Sequence, residues 1–529
     1  MAQGTTAEQV STYEEVPYAS HPFYYTHPAN LATLGTLYGM RPPDPTTCSV
    51  LELGCSDGGN LIPMAYSLPR SRLVGIDLSP GQIDAGVRVV QSLGIQNVDL
   101  RAMSILDIDA TFGTFDYIIC HGVYSWVPPA VQAKILEICS QNLSPQGLAY
   151  VSYNTFPGWH VRRMVREMMC FHVRRFAEPR VQVQQAREFL DFMTSSVQFP
   201  DGLYASSLKE ESNILRDQPD SYLLHEFLED VNEPVYFRDF AARASAAGLQ
   251  WVAEARFGDR LGRGSTDVLE KLLQWTDDAV ELEQYLDFTC NRTFRRTVLC
   301  HADVRLVRPP SPAVVTTMHV TAHVKPVSPR PDICSDAIEE FRMPDGASVS
   351  TNHPLAKAVL VELFAHHPRS MTFDELAQAV GSRLARGAEP GTALSAPSRM
   401  ELAEFLLTSC ARELLELHVR PFGFSSEPSE RPVAMPLARR HAASELMAPN
   451  LRHHTVELNG FDAFILQQLD GTRDRRDLHA ALLEAVARGD LEVTHPDDVA
   501  PDEEQLREML AGALEISLRR LASHGLLEA

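Results

Sequence analysis

Glu52, Gly54, Asp57, Gly58, Asn60 and Asp77 carry the clearest chemical signal in this chain. The run Val50-Leu51-Glu52-Leu53-Gly54-Cys55-Ser56-Asp57-Gly58-Gly59-Asn60 is an apolar strand entering a glycine-rich turn. Leu73-Val74-Gly75-Ile76-Asp77 is a second strand that ends on an acid. Glycine lets the backbone approach a ligand where a Cβ would collide, and the terminal carboxylate can accept from both hydroxyls of a ribose. This is the layout of a nucleoside site. A dinucleotide fits it badly, because its G-x-G-x-x-G loop seats a pyrophosphate on a helix N-terminus. Here Ser56 stands two residues after Gly54, and Asp57 puts negative charge where phosphates would lie. S-adenosylmethionine (SAM) carries an ammonium and a sulfonium and no phosphate, so acids suit it. Glu52, Gly54, Cys55, Asp57, Gly58, Asn60, Asp77 and Leu78 are the expected cofactor contacts. The plainer alternatives are a structural turn at Gly54 and Gly58, and a helix-capping carboxylate at Asp77 beside Ser79.

Further candidates follow along the chain. Asp107, after the third strand, can accept from an adenine amine, with Ile108 and Met103 offering apolar faces to the ring; a solvated turn and core packing are the plain alternatives. The fourth strand leads into Cys120-His121-Gly122-Val123-Tyr124-Ser125-Trp126-Val127-Pro128. In an open α/β sheet this end faces the reacting group. An acid or asparagine followed by Pro-Pro-aromatic, as used on DNA adenine or glutamine amines, is absent there. Tyr124 and Trp126 offer π faces to an alkylammonium or a sulfonium, and a buried aromatic pair would look the same in sequence. After strand five, Tyr153 or Asn154 can orient an amine lone pair, although a strand-end turn packed by Trp159 explains them equally. No strong base stands out. His121, also placed among the cofactor contacts, and His225 are the candidates, and each is as well explained as a structural histidine. Tyr24, Tyr25, Trp159 and His225 complete the expected acceptor side.

These residues need elements to position them. Strands over about 49–53, 72–77, 97–101, 115–120 and 147–153 alternate with helices, the second of which starts at Ser79-Pro80-Gly81-Gln82 with a serine cap and proline in the first turn. That rhythm predicts a parallel sheet with helices on both faces. Strand-like stretches at 248–255 and 296–301 are expected to be the sixth and seventh strands of the same sheet, making 185–247 a helical insertion over the substrate side. A separate α-rich domain over 185–300 is the alternative. The organisation expected is a cover segment (1–48), a SAM-binding core (49–184), a helical region with the last strands (185–305), a linker with one strand pair at most (306–350) and a winged-helix-like region (351–529).

Composition narrows the class. With 69 acids against 47 bases, the net charge of −22 disfavours nucleic acid and anionic membranes as partners. The nine cysteines form no C-x-x-C pair or zinc-spaced cluster, so neither a metal nor a disulfide scaffold is expected. No apolar run approaches the roughly 18 residues that cross a bilayer. A reducing cytosol is the expected location.

Taken together, the first lobe resembles class I SAM-dependent methyltransferases, an α/β fold with a Rossmann-like sheet. Tyr13-Glu14-Glu15-Val16-Pro17-Tyr18 with Thr26-His27-Pro28, the Gly122–Pro128 loop, His225-Glu226-Phe227-Leu228, Asn232-x-Pro234-x-Tyr236-Phe237 and Asn291-Arg292-x-Phe294-Arg295 resemble a subgroup with a methyltransferase regulatory domain. That subgroup includes the bacterial protein lysine methyltransferases described in rickettsiae, whose winged-helix tail is similar to Asn450-Leu451-Arg452-His453 and Leu469-Asp470-Gly471-Thr472-Arg473. The resemblance implies SAM as methyl donor and a lysine amine of a protein as acceptor. Two other readings stand beside it. One is a methyltransferase of small molecules whose tail makes a homodimer contact; the other is a SAM-binding adaptor without turnover.

Overall fold

Apolar runs buried on both faces make a sheet that must be covered by helices, and the first half of the chain does this. Its strands are β1 (Ser49–Leu53), β2 (Arg72–Asp77), β3 (Val98–Ala102), β4 (Phe115–Cys120), β5 (Leu143–Asn154), β6 (Leu249–Glu254) and β7 (Phe294–His301). The computed structural model describes residues 20–258, 266–385, 396–491 and 502–529. Strand order is β3-β2-β1-β4-β5-β7-β6. β1 to β5 run parallel, and β7 is antiparallel to both β5 and β6. The two late strands therefore belong to the same sheet, as expected from their sequence. This is a Rossmann-like methyltransferase fold. The order reverses between β1 and β4, and such a switch point opens a crevice at the strands' C-terminal ends. The loops after β1 and β4 flank it.

Between β5 and β6 lies the helical insertion: Trp159–Val173, Pro179–Ser195, Leu203–Arg216 and Asp220–Leu223, the last running into a π-helical turn at Leu224–Leu228. These elements have an apolar core of their own, built from Val165, Met169, Val183, Leu190, Leu208 and Phe227. Buried ion pairs tie the last strands to the neighbouring helix Ala279–Cys290. Arg295, fully buried on β7, reaches Glu254 on β6 at 2.7 Å and Asp287 and Glu283 on the helix at 2.9 and 3.3 Å. Its guanidinium lies 3.8 Å from the centre of the Phe237 ring, and Arg292 pairs with Asp287 at 2.6 Å. The Asn291–Arg295 motif is thus a structural clamp.

The chain divides into two compact units. The first holds the sheet and its helices up to Leu306. The second gathers His21–Gly39, Tyr66–Pro69 and Val307–Ala529. Tyr24 and Tyr25 therefore sit in the second unit, where Tyr24 stacks on His454 with centroids 4.6 Å apart. The Tyr13–Tyr18 part of the expected cover lies outside the described residues.

In the second unit, helices Pro354–His366, Phe373–Leu384 and Ala396–Ala411 accompany a small sheet of β8 (His319–Thr321), β12 (Met371–Thr372) and β13 (Glu416–His418). A second small sheet joins β9 (Lys325–Pro326), β10 (Glu339–Arg342) and β11 (Ser348–Thr351). Residues 306–350, expected to be mostly linker, thus contribute to two sheets. The C-terminal winged-helix region has helices Pro436–His441, Gly460–Gln468, Arg475–Arg488 and Glu503–Ser523, with a hairpin of β14 (Met447–Pro449) and β15 (Thr455–Glu457).

Candidate active site

The loop after β1 is shaped by two left-handed glycines, Gly54 at φ +77° and Gly58 at φ +82°. Gly54 is also where the crevice walls meet, because a Cβ there would lie 2.4 Å from Cγ2 of Val123 in the loop after β4. The N–H groups of Gly54 and Cys55 both donate to the Ile76 carbonyl, at 2.8 and 2.9 Å, and hold the loop against β2. That brings Asp77 to it. Asp77 Oδ2 accepts from the Ser56 N–H and Oδ1 from the Ser79 N–H, each at 2.9 Å. Burial raises this carboxyl above its ordinary value, against the opposing pull of the Ser79, Ser56 and Leu78 amides. Each oxygen of a carboxylate has two acceptor positions, so one on each remains for a ligand.

Behind the loop, Glu52 is buried. Its Oε1 accepts from Asn60 Nδ2 at 2.8 Å, while Oε2 is buried with no partner. Burial lifts the carboxyl to about 8, with Asp77 adding to the rise and the Asn60 bond opposing it. An orphaned carboxylate oxygen is costly unless a donor arrives. The ammonium of SAM is such a donor, and no Lys or Arg stands between Ser49 and Pro69 to compete. Asp57 and Asp77 would repel a pyrophosphate, whereas all three acids can accept from SAM's ammonium and ribose.

Other expected cofactor residues take more modest places. The Cys55 thiol is buried and points toward β2, where a Cβ on Gly75 would lie 2.8 Å from it; burial pushes it well above its ordinary value. Only its backbone serves the loop. Asp57 Oδ1 accepts from the Gly59 N–H at 3.1 Å. The Ile108 side chain is part of the core, so it offers no face to a ring. Asp107 is exposed on the short turn Ile105–Asp107. Over residues 49–158, the large apolar side chains left exposed are Leu78 at 42% and Leu106 at 50%. Leu106, which the sequence did not single out, is the exposed apolar side chain beside Asp107.

On the acceptor side, two expectations are corrected. Tyr124 and Tyr153 are fully buried in the sheet's core. Tyr124 meets Phe240 edge-on at 5.2 Å, and Tyr153 stacks on Phe240 at 4.1 Å with its hydroxyl 3.0 Å from Thr297 Oγ1. Neither can reach a substrate. Their neighbours remain. Trp126 meets Trp159 edge-to-face at 6.4 Å, and Trp159 lies 6.0 Å from Phe227. Trp159 is 1% exposed, and its indole N–H has no partner. Asn154 is buried, with its Nδ2 3.5 Å from Asn232 Oδ1, while Asn232 Nδ2 is a buried donor without a partner.

The segment carrying Asn232 is pinned across the ends of β4 and β5. The Glu233 N–H donates to the Ser125 carbonyl at 2.8 Å, the Val235 N–H to Asn154 at 3.1 Å, and Thr155 Oγ1 to the Val235 carbonyl at 2.7 Å. His121 cannot serve as a base here. Burial, with Arg296 beside it, holds the His121 imidazole down to about 3, and its Nδ1 sits 2.9 Å from the Tyr150 hydroxyl and 3.1 Å from Ser152 Oγ. His225 is buried with Nδ1 3.0 Å from Glu229 Oε1.

Comparison with known proteins bears on this geometry. A methyltransferase domain profile matches residues 50–147, a predicted methyltransferase regulatory domain 219–301, and the PKMT C-terminal winged helix domain 430–526. An uncharacterized protein of Rickettsia prowazekii is 33% identical over 99% of this chain and 95% of its own length. The structure of PKMT2 from Rickettsia typhi in complex with AdoHcy aligns with a TM-score of 0.86 at 30% identity, covering 97% of this chain and all of that one. The chain belongs to the PKMT family of methyltransferases. It is a SAM-dependent enzyme, and SAM is its methyl donor. Among the described residues, no helix is long and apolar enough to cross a membrane.

Proposed function

We propose that this enzyme methylates the side-chain amine of lysine in a protein. The observation that carries this reading is the Trp126 indole, held edge-to-face by buried Trp159 at the ends of β4 and β5 beside Asn154 and Asn232. Aromatic faces suit the aliphatic stem and cationic head of a lysine better than they suit a polar nucleobase. Asn154 and Asn232 have carbonyl oxygens to accept an amine N–H, which aims the nitrogen lone pair.

When bound, SAM supplies an electrophilic methyl on a sulfonium. The chain's own part is placement. Asp77 grips the ribose hydroxyls, Glu52 pairs with the ammonium, and Asp107 with Leu78 and Leu106 holds the adenine. The Trp126 indole excludes water from the lysine, and desolvation lowers an ammonium's pKa from about 10.4 toward the neutral amine that can attack. Holding the amine in line at roughly 3–3.5 Å provides most of the acceleration. We place the enzyme in a reducing cytosol, where thiols stay reduced; among the described residues its cysteines form no disulfide.

The test is incubation of the pure enzyme with methyl-labelled SAM and a cell lysate. Label should enter the protein fraction and be recovered as methyl-lysine after hydrolysis. Label confined to small molecules establishes the small-molecule reading instead, and SAM binding without any transfer establishes the adaptor.

A further inference from the structure

A groove of about 470 Å³ lies entirely within the second unit. Its walls come from β15, from the chain leaving β8 and from the approach to β13. Four imidazoles line it: His323, His367, His454 and His524. His323 and His367 stack with centroids 4.0 Å apart. The charged groups around it are Glu413, Glu416 and Glu457 against the single Arg452.

Burial keeps the imidazoles uncharged, holding His367 down to about 3 and His454 to about 4, and lowering His323 and His524 as well. Arg452 is ion-paired with Glu416. The groove is therefore acidic in sum. Among the described residues, no three of its side chains converge on a metal-holding geometry, and its charge repels a phosphate backbone. Neutral imidazole accepts a hydrogen bond from an ammonium, so both kinds of lining group favour an organic cation.

The wall formed by β15 adds a second kind of complementarity. Leu458 N–H donates to Leu446 at 2.8 Å and Asn450 N–H to His454 at 2.9 Å, so the even-numbered residues of this strand face β14. By alternation, the backbone groups of Thr455 and Glu457 point the other way. No strand pairs with that edge among the described residues, and both side chains are exposed. A free edge beside a groove is how extended peptides are captured, with main-chain bonds giving affinity and alternate side chains giving specificity.

We propose that this groove docks an extended, lysine-bearing segment of the acceptor protein, which adds as a strand to β15 and sets its ammonium groups against Glu457 and the imidazoles. The inference rests on the lysine reading given above. Fluorescence anisotropy of the full chain with a labelled valine–lysine alternating octapeptide tests it, with a valine–glutamate octapeptide as control. The lysine peptide should bind about tenfold or more tightly than the glutamate peptide and weaken with salt. Glu457→Lys should cost about tenfold. Thr455→Pro, which removes an outward N–H and leaves the β14 ladder intact, should abolish strand addition. Circular dichroism and affinity for S-adenosylhomocysteine (SAH) serve as fold controls, and the exposed Glu457 variant keeps the test valid if the proline variant unfolds. Equal binding of the two peptides, or wild-type binding by Glu457→Lys, overturns the proposal. The lysate assay separates the two readings: methyl-lysine formed by Glu457→Lys with an unchanged KM for protein sinks the groove alone, whereas no label in protein sinks the lysine reading itself.

Discussion

Replacing Asp77 by asparagine is the sharpest probe of the cofactor site, because both carboxylate oxygens already have assigned work. Oδ2 accepts from Ser56 N–H and Oδ1 from Ser79 N–H. Asparagine supplies one acceptor and one donor group, so its amide nitrogen must face one of those N–H groups, donor against donor. The variant loses a backbone bond on that side and one acceptor for a ribose hydroxyl. A hydrogen bond to a charged group contributes about 1.5–3 kcal/mol, and the neutral amide also weakens the bond that remains. A total near 3 kcal/mol corresponds to roughly a hundredfold loss of affinity. Calorimetric titration with SAH measures this without turnover, and a thermal melt alongside detects global unfolding. If the folded variant binds SAH within about threefold of wild type, the ribose assignment to Asp77 is wrong.

Four further outcomes follow from particular contacts. Glu52 keeps its proton up to about pH 8, and an adjacent ammonium favours the carboxylate, so SAH binding at pH 7 should release close to one proton. Titrations in buffers of different ionisation enthalpy read this, and Glu52→Gln should abolish it; equal heats in all buffers for wild type refute the pairing. Trp126→Leu should raise the KM for a lysine acceptor about five- to thirtyfold through loss of its aromatic face, with SAH affinity kept. Arg295→Met removes the buried cation that Glu254, Asp287 and Glu283 share and should destabilise the first unit by about 3–5 kcal/mol in a urea melt. Burial first, with neighbouring histidines adding to it, holds His27 down to about 3, His367 to about 3 and His454 to about 4. The unfolded chain takes up these protons near pH 6.5, before the folded one, so stability is full above that value and falls below it, by up to about 2 kcal/mol per histidine at pH 5. A melting temperature that is flat from pH 7 to 5 contradicts this.

The sheet and the cofactor loop were readable in the residues because both are local. Strands buried on two faces give unbroken apolar runs such as Tyr117–Cys120 and Leu148–Val151, and the spacing from Gly54 to Asp77 is fixed by one crossover. Residue type alone does not say which face of the sheet a side chain takes. Tyr153 and Asn154 are adjacent, so the pleat sends them to opposite faces, the tyrosine against Phe240 and the amide toward Asn232. The short turn Tyr124–Trp126 similarly separates its two aromatics. Residues 306–350 hid their structure for a different reason: β8 to β11 are two to four residues long, and β8 pairs with strands far along the chain.

Leu106 gave no signal because an exposed leucine is ordinary in any sequence. The proposed acceptor side was the least legible part, and its construction explains why. Asn154 meets Asn232, Ser125 meets Glu233, and Trp159 meets Phe227. Each pair joins a strand end or the turn beside it to a segment roughly seventy to more than a hundred residues away, so no spacing rule links them. Such an arrangement can be altered by changing the insertion while the sheet and the Asp77 grip stay as they are. Acceptor choice can therefore diverge among enzymes that share the same SAM loop. The loop therefore identifies the reaction, and on the proposed reading the insertion and the β15 groove select what is methylated.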